Sequence, residues 1–325
     1  MKSLRTLSEV ARDIRSIRIQ GARRIARAAL EALVSTAQKS KAKTKNELYQ
    51  QLLSAAKTLE STRPTEPMMR NSLEDSLRFI LAWTRTRPSK DVKDMKSALL
   101  SHHSSFIDKM HESINKIAKF GSAEIPHGAN ILIHCHSTTI IKILQKAYDE
   151  GKNPHVTCLE TRPLYQGRLS ARELSEYGLE VNLTVDSASG SLISKMDLVL
   201  VGADAITAEG DLINKIGTFT LAQLAHTHSI RFLCAAEIYK YDPLTRFGRA
   251  GPIEERGVSE VWGSGLYAKE KAGKNSISIP KKLKVLNPAF DRTPANFISA
   301  YITEEGLIPP AQLAILAEKK LEIGE

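Results

Sequence analysis

The stretch ILIHCHSTT (131–139) sets Cys135 between His134 and His136 where an apolar run ends, and Ser137, Thr138 and Thr139 follow at once. A thiol there can act as a base if cations or a helix N-terminus lower its pKa. The hydroxyl cluster falls where a helix would begin, so its backbone amides are placed to hold phosphate. Other groups with chemical potential also follow short apolar runs: Glu160 with Arg162, Asp186, Asp204, and Glu237 with Lys240. With Lys215 nearby in sequence, they describe an acid–base cleft for a phosphorylated substrate.

Each of these residues also has a plainer reading. Asp186, in VDSAS, equally suits a helix cap, and Glu160 with Arg162 suits an internal ion pair that positions a loop. The histidines beside Cys135 hint at metal. Adjacent side chains on an extended segment point to opposite faces, however, and no second ligand cluster occurs, so no metal is expected. Cys158 and Cys234 read as small core residues. The arginines of the first helix (Arg12, Arg15, Arg18, Arg23, Arg24 and Arg27) read as a solvated or interface surface.

Open parallel sheets bind ligands outside the carboxyl ends of their strands, and the wider pattern supplies such a sheet. Short apolar runs at 131–133, 156–159, 181–185, 198–201 and 231–236 alternate with helical candidates at 137–149, 170–177 and 218–228. That alternation predicts parallel strands joined by crossover helices. The first ~125 residues instead carry helical periodicity. It shows in Leu4, Leu7, Ala11, Ile14 and Ile17, in Leu48, Leu52, Ala55 and Leu59, and in Met95 through Ile117, with a proline-bounded break at STRPTEP (61–67). The fold class expected is α/β, with a helical N-terminal domain over 1–125 and a Rossmann-like parallel-sheet domain over 126–325. The glycine-rich, charged segment 245–280 reads as an excursion from that sheet, and 287–294 and 298–310 as the return.

The bulk numbers bound the partners. The 325 residues carry a formal charge of +10, which favours an anionic partner, either nucleic acid or a phosphorylated metabolite. Aromatics are only 6% and no aromatic–basic RNA-binding motif occurs, so nucleic acid is not expected. No apolar run approaches the ~20 residues of a membrane helix. The arginine-rich N-terminus lacks a signal-peptide core, and Glu9 and Asp13 count against a transit peptide, so a cytoplasmic location is expected.

Seven motifs taken together resemble the initiation-factor-2B/methylthioribose-1-phosphate isomerase superfamily, with most similarity to its archaeal ribose-1,5-bisphosphate isomerase branch. They are HCHS (134–137), ETRPLYQG (160–167), VDSA (185–188), GADAITAEGDLINKIGT (202–218), AAEIYKYDP (235–243), NPAFDRTP (287–294) and ITEEGLIPP (302–310). The compact HCHSTT favours that branch over the methylthioribose-phosphate branch, which has a longer glycine- and alanine-rich stretch after the cysteine. The resemblance implies an aldose–ketose isomerisation of ribose 1,5-bisphosphate to ribulose 1,5-bisphosphate, with Cys135 as thiolate accepting a proton and Asp204 donating one. It implies no metal or redox cofactor. Asn214 and Lys215 would contact sugar and phosphate, Lys240 would hold substrate, Ser137, Thr138 and Thr139 would bind phosphate, and Arg63 would reach in from the N-terminal domain. An AMP activator and a homo-oligomer, dimer or hexamer, are implied too.

Two positions depart from the family pattern. Relatives carry an I-R-G-A-G phosphate-binding element, whereas this chain reads IQGARR (19–24): Gln20 stands in the arginine's place, followed by Gly21, Ala22 and Arg23. Arg23 or Arg24 would then have to supply the charge. The segment 66–71 also departs from the usual small apolar run. These changes keep two rival readings open: an initiation-factor-2B-like regulatory subunit, and an isomerase of another sugar phosphate such as methylthioribose 1-phosphate.

Overall fold

A computed structural model describes residues 5–248, 253–262 and 279–322. Helix α1 (Leu7–Arg15) opens with a capping box, in which Thr6 and Glu9 satisfy each other's backbone amides. The helical spacing continues to Ile17 in the sequence, but α1 stops at Arg15. The amides of residues 16–19 turn back onto carbonyls of residues 12–14, and Ile17 takes a φ of 60°. Gly21, at φ 84°, then starts α2 (Ala22–Lys39). That backbone region costs a side-chain-bearing residue energy and suits glycine. The reversal puts Gln20 and Gly21 at a helix N-terminus rather than on a continuous helix.

Helices α3 (Lys45–Glu60), α4 (Pro67–Thr86) and α5 (Val92–Ala123) complete the helical region around α2. The alanine-rich face of α2 lets neighbours approach closely, and Ile25, Leu30, Leu33, Leu52, Leu59, Met69 and Ile80 form the buried seam. At 32 residues α5 runs about 48 Å. Its later turns leave the helical core and pack on α6 (Thr138–Asp149), which belongs to the sheet region.

The seven-stranded sheet contains β1 (Asn130–His134), β2 (His155–Leu159), β3 (Glu180–Thr184), β4 (Leu198–Gly202), β7 (Arg231–Ala235), β10 (Ala300–Thr303) and β11 (Gly306–Ile308). Its order is β11-β10-β7-β4-β1-β2-β3, parallel throughout except for the β10–β11 pair. The five apolar runs expected as strands are β1, β2, β3, β4 and β7. Buried Ile131, Ile133 and Leu200 face one layer of packing and Leu132, Val199 and Val201 the other, the double burial of a sheet covered on both sides. Strand β3 is the exception, an edge on which Leu183 is half exposed.

Helix α7 (Gln166–Tyr177) begins four residues before the sequence pattern indicates. Its first turn passes so close to β2 that a Cβ on Gly167 would stand 1.7 Å from the Leu159 carbonyl oxygen. Helices α8 (Thr218–Thr227) and α9 (Pro310–Leu321) pack beside β7 and β10 respectively.

A second sheet has no counterpart in the sequence reading. Its strands are β5 (Ala205–Thr207), β6 (Leu212–Lys215), β8 (Tyr241–Asp242) and β9 (Phe290–Thr293), in the order β8-β5-β6-β9. The long 202–218 motif folds into its central hairpin. Residues 253–257 lie outside the seven-stranded sheet and pair with 287–289, next to β9. The remainder of 245–280 lies partly outside the described residues, apart from the short segment to Gly248 and one helical turn at Ser259–Trp262.

Candidate active site

Strand β1 ends at His134, and the chain turns sharply through Cys135 at φ 68°. A non-glycine residue in this region costs roughly 1–3 kcal/mol and persists only where its surroundings enforce it. They do so here through a chain of contacts. The Cys135 amide donates to Thr161 Oγ1 at 2.9 Å, and its carbonyl accepts from Ser170 Oγ at 3.0 Å. Thr161, itself at φ 64°, is held by Asp186, whose two carboxylate oxygens accept from the Thr161 and Arg162 amides, each at 2.7 Å. Asp186 is thus a loop anchor and caps no helix with its side chain. The expected Glu160–Arg162 pair does not form either: Glu160 pairs with Arg168 at 2.7 Å, while Arg162 donates to the Tyr165 hydroxyl.

Beyond this turn lies a cavity of about 280 Å³. It collects the residues that the family resemblance implies: Gln20, Gly21, Ala22 and Arg23 from the α1–α2 turn, Arg63, Cys135, Ser137, Thr138 and Thr139, Asp204, Asn214, Lys215 and Lys240. Glu160, Arg162, Asp186 and Glu237, also nominated from their strand-end positions, are not in its lining. Ser137 caps α6, its hydroxyl facing the Ile140 amide. Gly202 lies against it, and a Cβ there would stand 2.9 Å from Ser137 Oγ. Asp204 leaves β4 just before the hairpin, where its amide donates to the Ile213 carbonyl at 3.0 Å. Asn214 donates to Thr218 Oγ1 at 3.0 Å. Lys215, almost wholly buried, holds its ammonium 5.2 Å from the centre of the Phe290 ring and pairs with no carboxylate among the described residues.

The electrostatics differ from the expectation of a resting thiolate. Burial, with a further push from the Asp204 charge, raises the Cys135 thiol to about 11, and nearby Lys215 only partly offsets this. The thiol is therefore protonated at neutral pH. His134 is neutral as well: burial lowers its pKa, and its Nε2–H donates to the Ile216 carbonyl at 2.9 Å. His136 turns instead to Ser170 Oγ at 3.1 Å. The two histidines thus serve separate partners. Among the described residues no group of three or more His, Cys, Asp or Glu is gathered that could hold a metal.

Three further cations of the cavity, Arg23, Lys240 and Arg63, are tied to carboxylates. Arg23 lies 3.3 Å from Glu237 and donates to the Met110 carbonyl at 2.7 Å. Lys240 donates to the Ala203 carbonyl at 2.8 Å and lies 3.5 Å from Glu237. Arg63 pairs with Glu254 at 3.2 Å. Gln20 donates from Nε2 to the Ile17 carbonyl in its own turn, at 2.9 Å. Arg23 is thus unavailable as a freely placed substitute for the missing arginine; Arg24, exposed at the rim, forms no ion pair among the described residues.

The cavity also holds residues that sequence reasoning missed, notably Arg256, Gln166 and Phe290. Gln166 and Phe290 sit inside quoted motifs, but Arg256 comes from an aperiodic charged segment and carries no local signal. Behind the wall Glu66, at the start of α4, is almost wholly buried. Burial pushes its carboxyl up to about 8, opposed by Arg63 and Lys240 and assisted by Asp204 and Glu254.

The fold, a helical region followed by a mostly parallel sheet, is shared with known proteins. The chain belongs to the Initiation factor 2 subunit family, which it matches over residues 18–310. It is 39% identical over 322 residues to the ribose 1,5-bisphosphate isomerase of Pyrococcus furiosus, with 97% of this chain and 94% of that protein covered. Its fold matches the crystal structure of 5-methylthioribose 1-phosphate isomerase from Pyrococcus horikoshii with a TM-score of 0.75 and 31% identity, over 98% of this chain and 87% of that one. It also matches the structure of a Pyrococcus horikoshii translation initiation factor eIF-2B with a TM-score of 0.76 and 27% identity, over 94% and 98% of the two chains. Among the described residues no helix is long and apolar enough to cross a membrane.

Proposed function

We propose that this protein is a sugar-phosphate isomerase that converts ribose 1,5-bisphosphate to ribulose 1,5-bisphosphate. The observation that carries this reading is the convergence of Cys135, Asp204 and the unpaired Lys215 on one cavity, in a chain nearly collinear with a ribose 1,5-bisphosphate isomerase. In this reaction C1 and the ring oxygen each gain a proton, while C2 and its hydroxyl each lose one. No electrons leave the sugar, and the chemistry asks only for placed acids and bases.

Cys135 accepts the C2 proton and Asp204 is the donor. Because burial keeps the thiol protonated at rest, the thiolate has to form before it can take the C2 proton, and the Lys215 charge, which opposes the raised pKa, favours that step. Lys215 and the Ser137–Thr139 turn hold phosphate, with the α6 N-terminus favouring its charge. Stimulation by AMP and assembly of several copies belong to the same proposal.

The test is phosphorus NMR of ribose 1,5-bisphosphate with the purified protein, with and without AMP. Cys135→Ala and Asp204→Asn should each lower turnover by about 100- to 10,000-fold. With the thiol raised to about 11, kcat/KM should climb with pH across 7–9, by up to about tenfold per unit; a level profile would count against Cys135 as the base. The pairing of Arg23, Arg63 and Lys240 with carboxylates favours a second reading, an isomerase of a singly phosphorylated sugar. Turnover of methylthioribose 1-phosphate without turnover of the bisphosphate would select it. Turnover of neither would leave a regulatory, binding role.

A further inference from the structure

Arg256 reaches the cavity from a segment that no motif marks, yet the fold fixes it firmly. The Arg256 amide donates to the Asn287 carbonyl at 2.9 Å, and the Ala289 amide donates to the Glu254 carbonyl at 2.8 Å. Asn287, itself buried, donates from Nδ2 to the Gly257 carbonyl at 3.0 Å and to Glu260 at 3.1 Å. This backbone pairing lies directly before β9, whose Phe290 lines the same cavity.

The Arg256 side chain is 8% exposed, and its Nε and Nη1 are buried without a hydrogen-bond partner among the described residues. Glu254 lies alongside, 3.0 Å from Arg256 Nε but off the line of a hydrogen bond, while its other oxygen is 3.2 Å from Arg63 Nη2. One carboxylate thus holds two guanidinium groups side by side, offsetting their repulsion and leaving a net positive charge. A desolvated cation with unfilled donors destabilises the site with each unmade bond. An anion entering the cavity removes that cost. A phosphate group, with several acceptor oxygens, matches the planar fork of arginine well.

We propose that Arg256, seated by Glu254 beside Arg63, is a substrate-binding residue that takes a phosphate group of the sugar and supplies the positive charge that Gln20 does not. The proposal rests on the reading of the cavity as a sugar-phosphate site. It assigns the rim segment 254–257 to substrate recognition rather than to a connection between strands. It also accounts for a bisphosphate site without the family's arginine at position 20.

The experiment is calorimetric titration of the whole protein with ribose 1,5-bisphosphate, comparing the unaltered chain with Arg256→Ala and Arg256→Lys. Arg256→Ala should weaken binding roughly 10- to 100-fold, the range of a charge-assisted phosphate contact. Arg256→Lys should recover part of that loss, since it restores the charge but not the fork. If Arg256→Ala does not fold, judged by its thermal melt, Arg256→Gln is read by the same standard. A loss below about tenfold overturns the proposal, as does failure of the unaltered chain to bind the bisphosphate. Binding is read separately from turnover, so tight binding that depends on Arg256 with no isomerisation would remove the isomerase reading and leave this one standing.

Discussion

The two walls of the cavity are built on opposite principles. On the strand-end wall, Cys135, the Ser137–Thr139 turn and Lys215 keep binding capacity for a ligand: a protonated thiol, helix-start amides and an ammonium with no carboxylate partner among the described residues. On the seam wall, where the helical region meets the sheet region, each cation already faces a carboxylate, although Arg256 still carries unfilled donors. Glu237 holds Arg23 and Lys240, and Glu254 holds Arg63 and Arg256. The same residue types thus divide the work. Cations without partners are available to a ligand, whereas cations with buried partners also hold two parts of the chain together.

That contrast breaks down if substitutions on the two walls have similar consequences. The largest effect expected is on the seam. Glu237→Gln strands Arg23 and Lys240 in a buried setting, and stability in denaturant unfolding should fall by about 3–5 kcal/mol. On the opposite wall, Lys215→Met should lower kcat/KM by about 100-fold while leaving the unfolding midpoint nearly unchanged. Equal losses of stability from both would erase the distinction.

Glu66 sharpens the comparison through pH. Its folded carboxyl is raised from 4.5 to about 8, so the folded state keeps a proton that the unfolded state gives up. The stability this confers is full below about 4.5 and is lost as pH rises through 8. Glu66→Gln should remove the loss, so its advantage over the unaltered chain should grow between pH 5 and pH 8 by on the order of 2 kcal/mol. A gap that stays constant with pH would show that the carboxyl ionises freely. The smallest effect expected is from Gly202→Ala. The new Cβ must push Ser137 from the α6 start, costing about 1 kcal/mol and loosening phosphate binding, read as a rise in KM with little change in kcat.

Much of the strand-end wall was legible in the sequence, because its chemistry rides on local signals. The apolar run 131–133 predicts a strand, Ser137 predicts a cap, and ligands gather where parallel strands end. The second sheet was not legible. Its strands are two to four residues long, and β8 and β9 join the hairpin from distant parts of the chain. The break after α1 escaped the periodicity because apolar spacing continues through Ile17 while the backbone reverses there. The sequence makes Cys135 a base only if cations or the helix start lower its pKa; in the fold, burial outweighs Lys215.

Sequence alone determined the helical region, the five parallel strands and the family pattern, since these depend on periodicity and motif spacing, and the family pattern in turn implied most of the groups that converge. Tertiary structure decided which charges remain available. Whether Arg23 faces a ligand or Glu237, and whether Arg256 is a loop residue or a wall of the cavity, depends on pairings between segments separated by about two hundred residues or more. Those pairings are set by distance and desolvation, which a linear pattern does not encode.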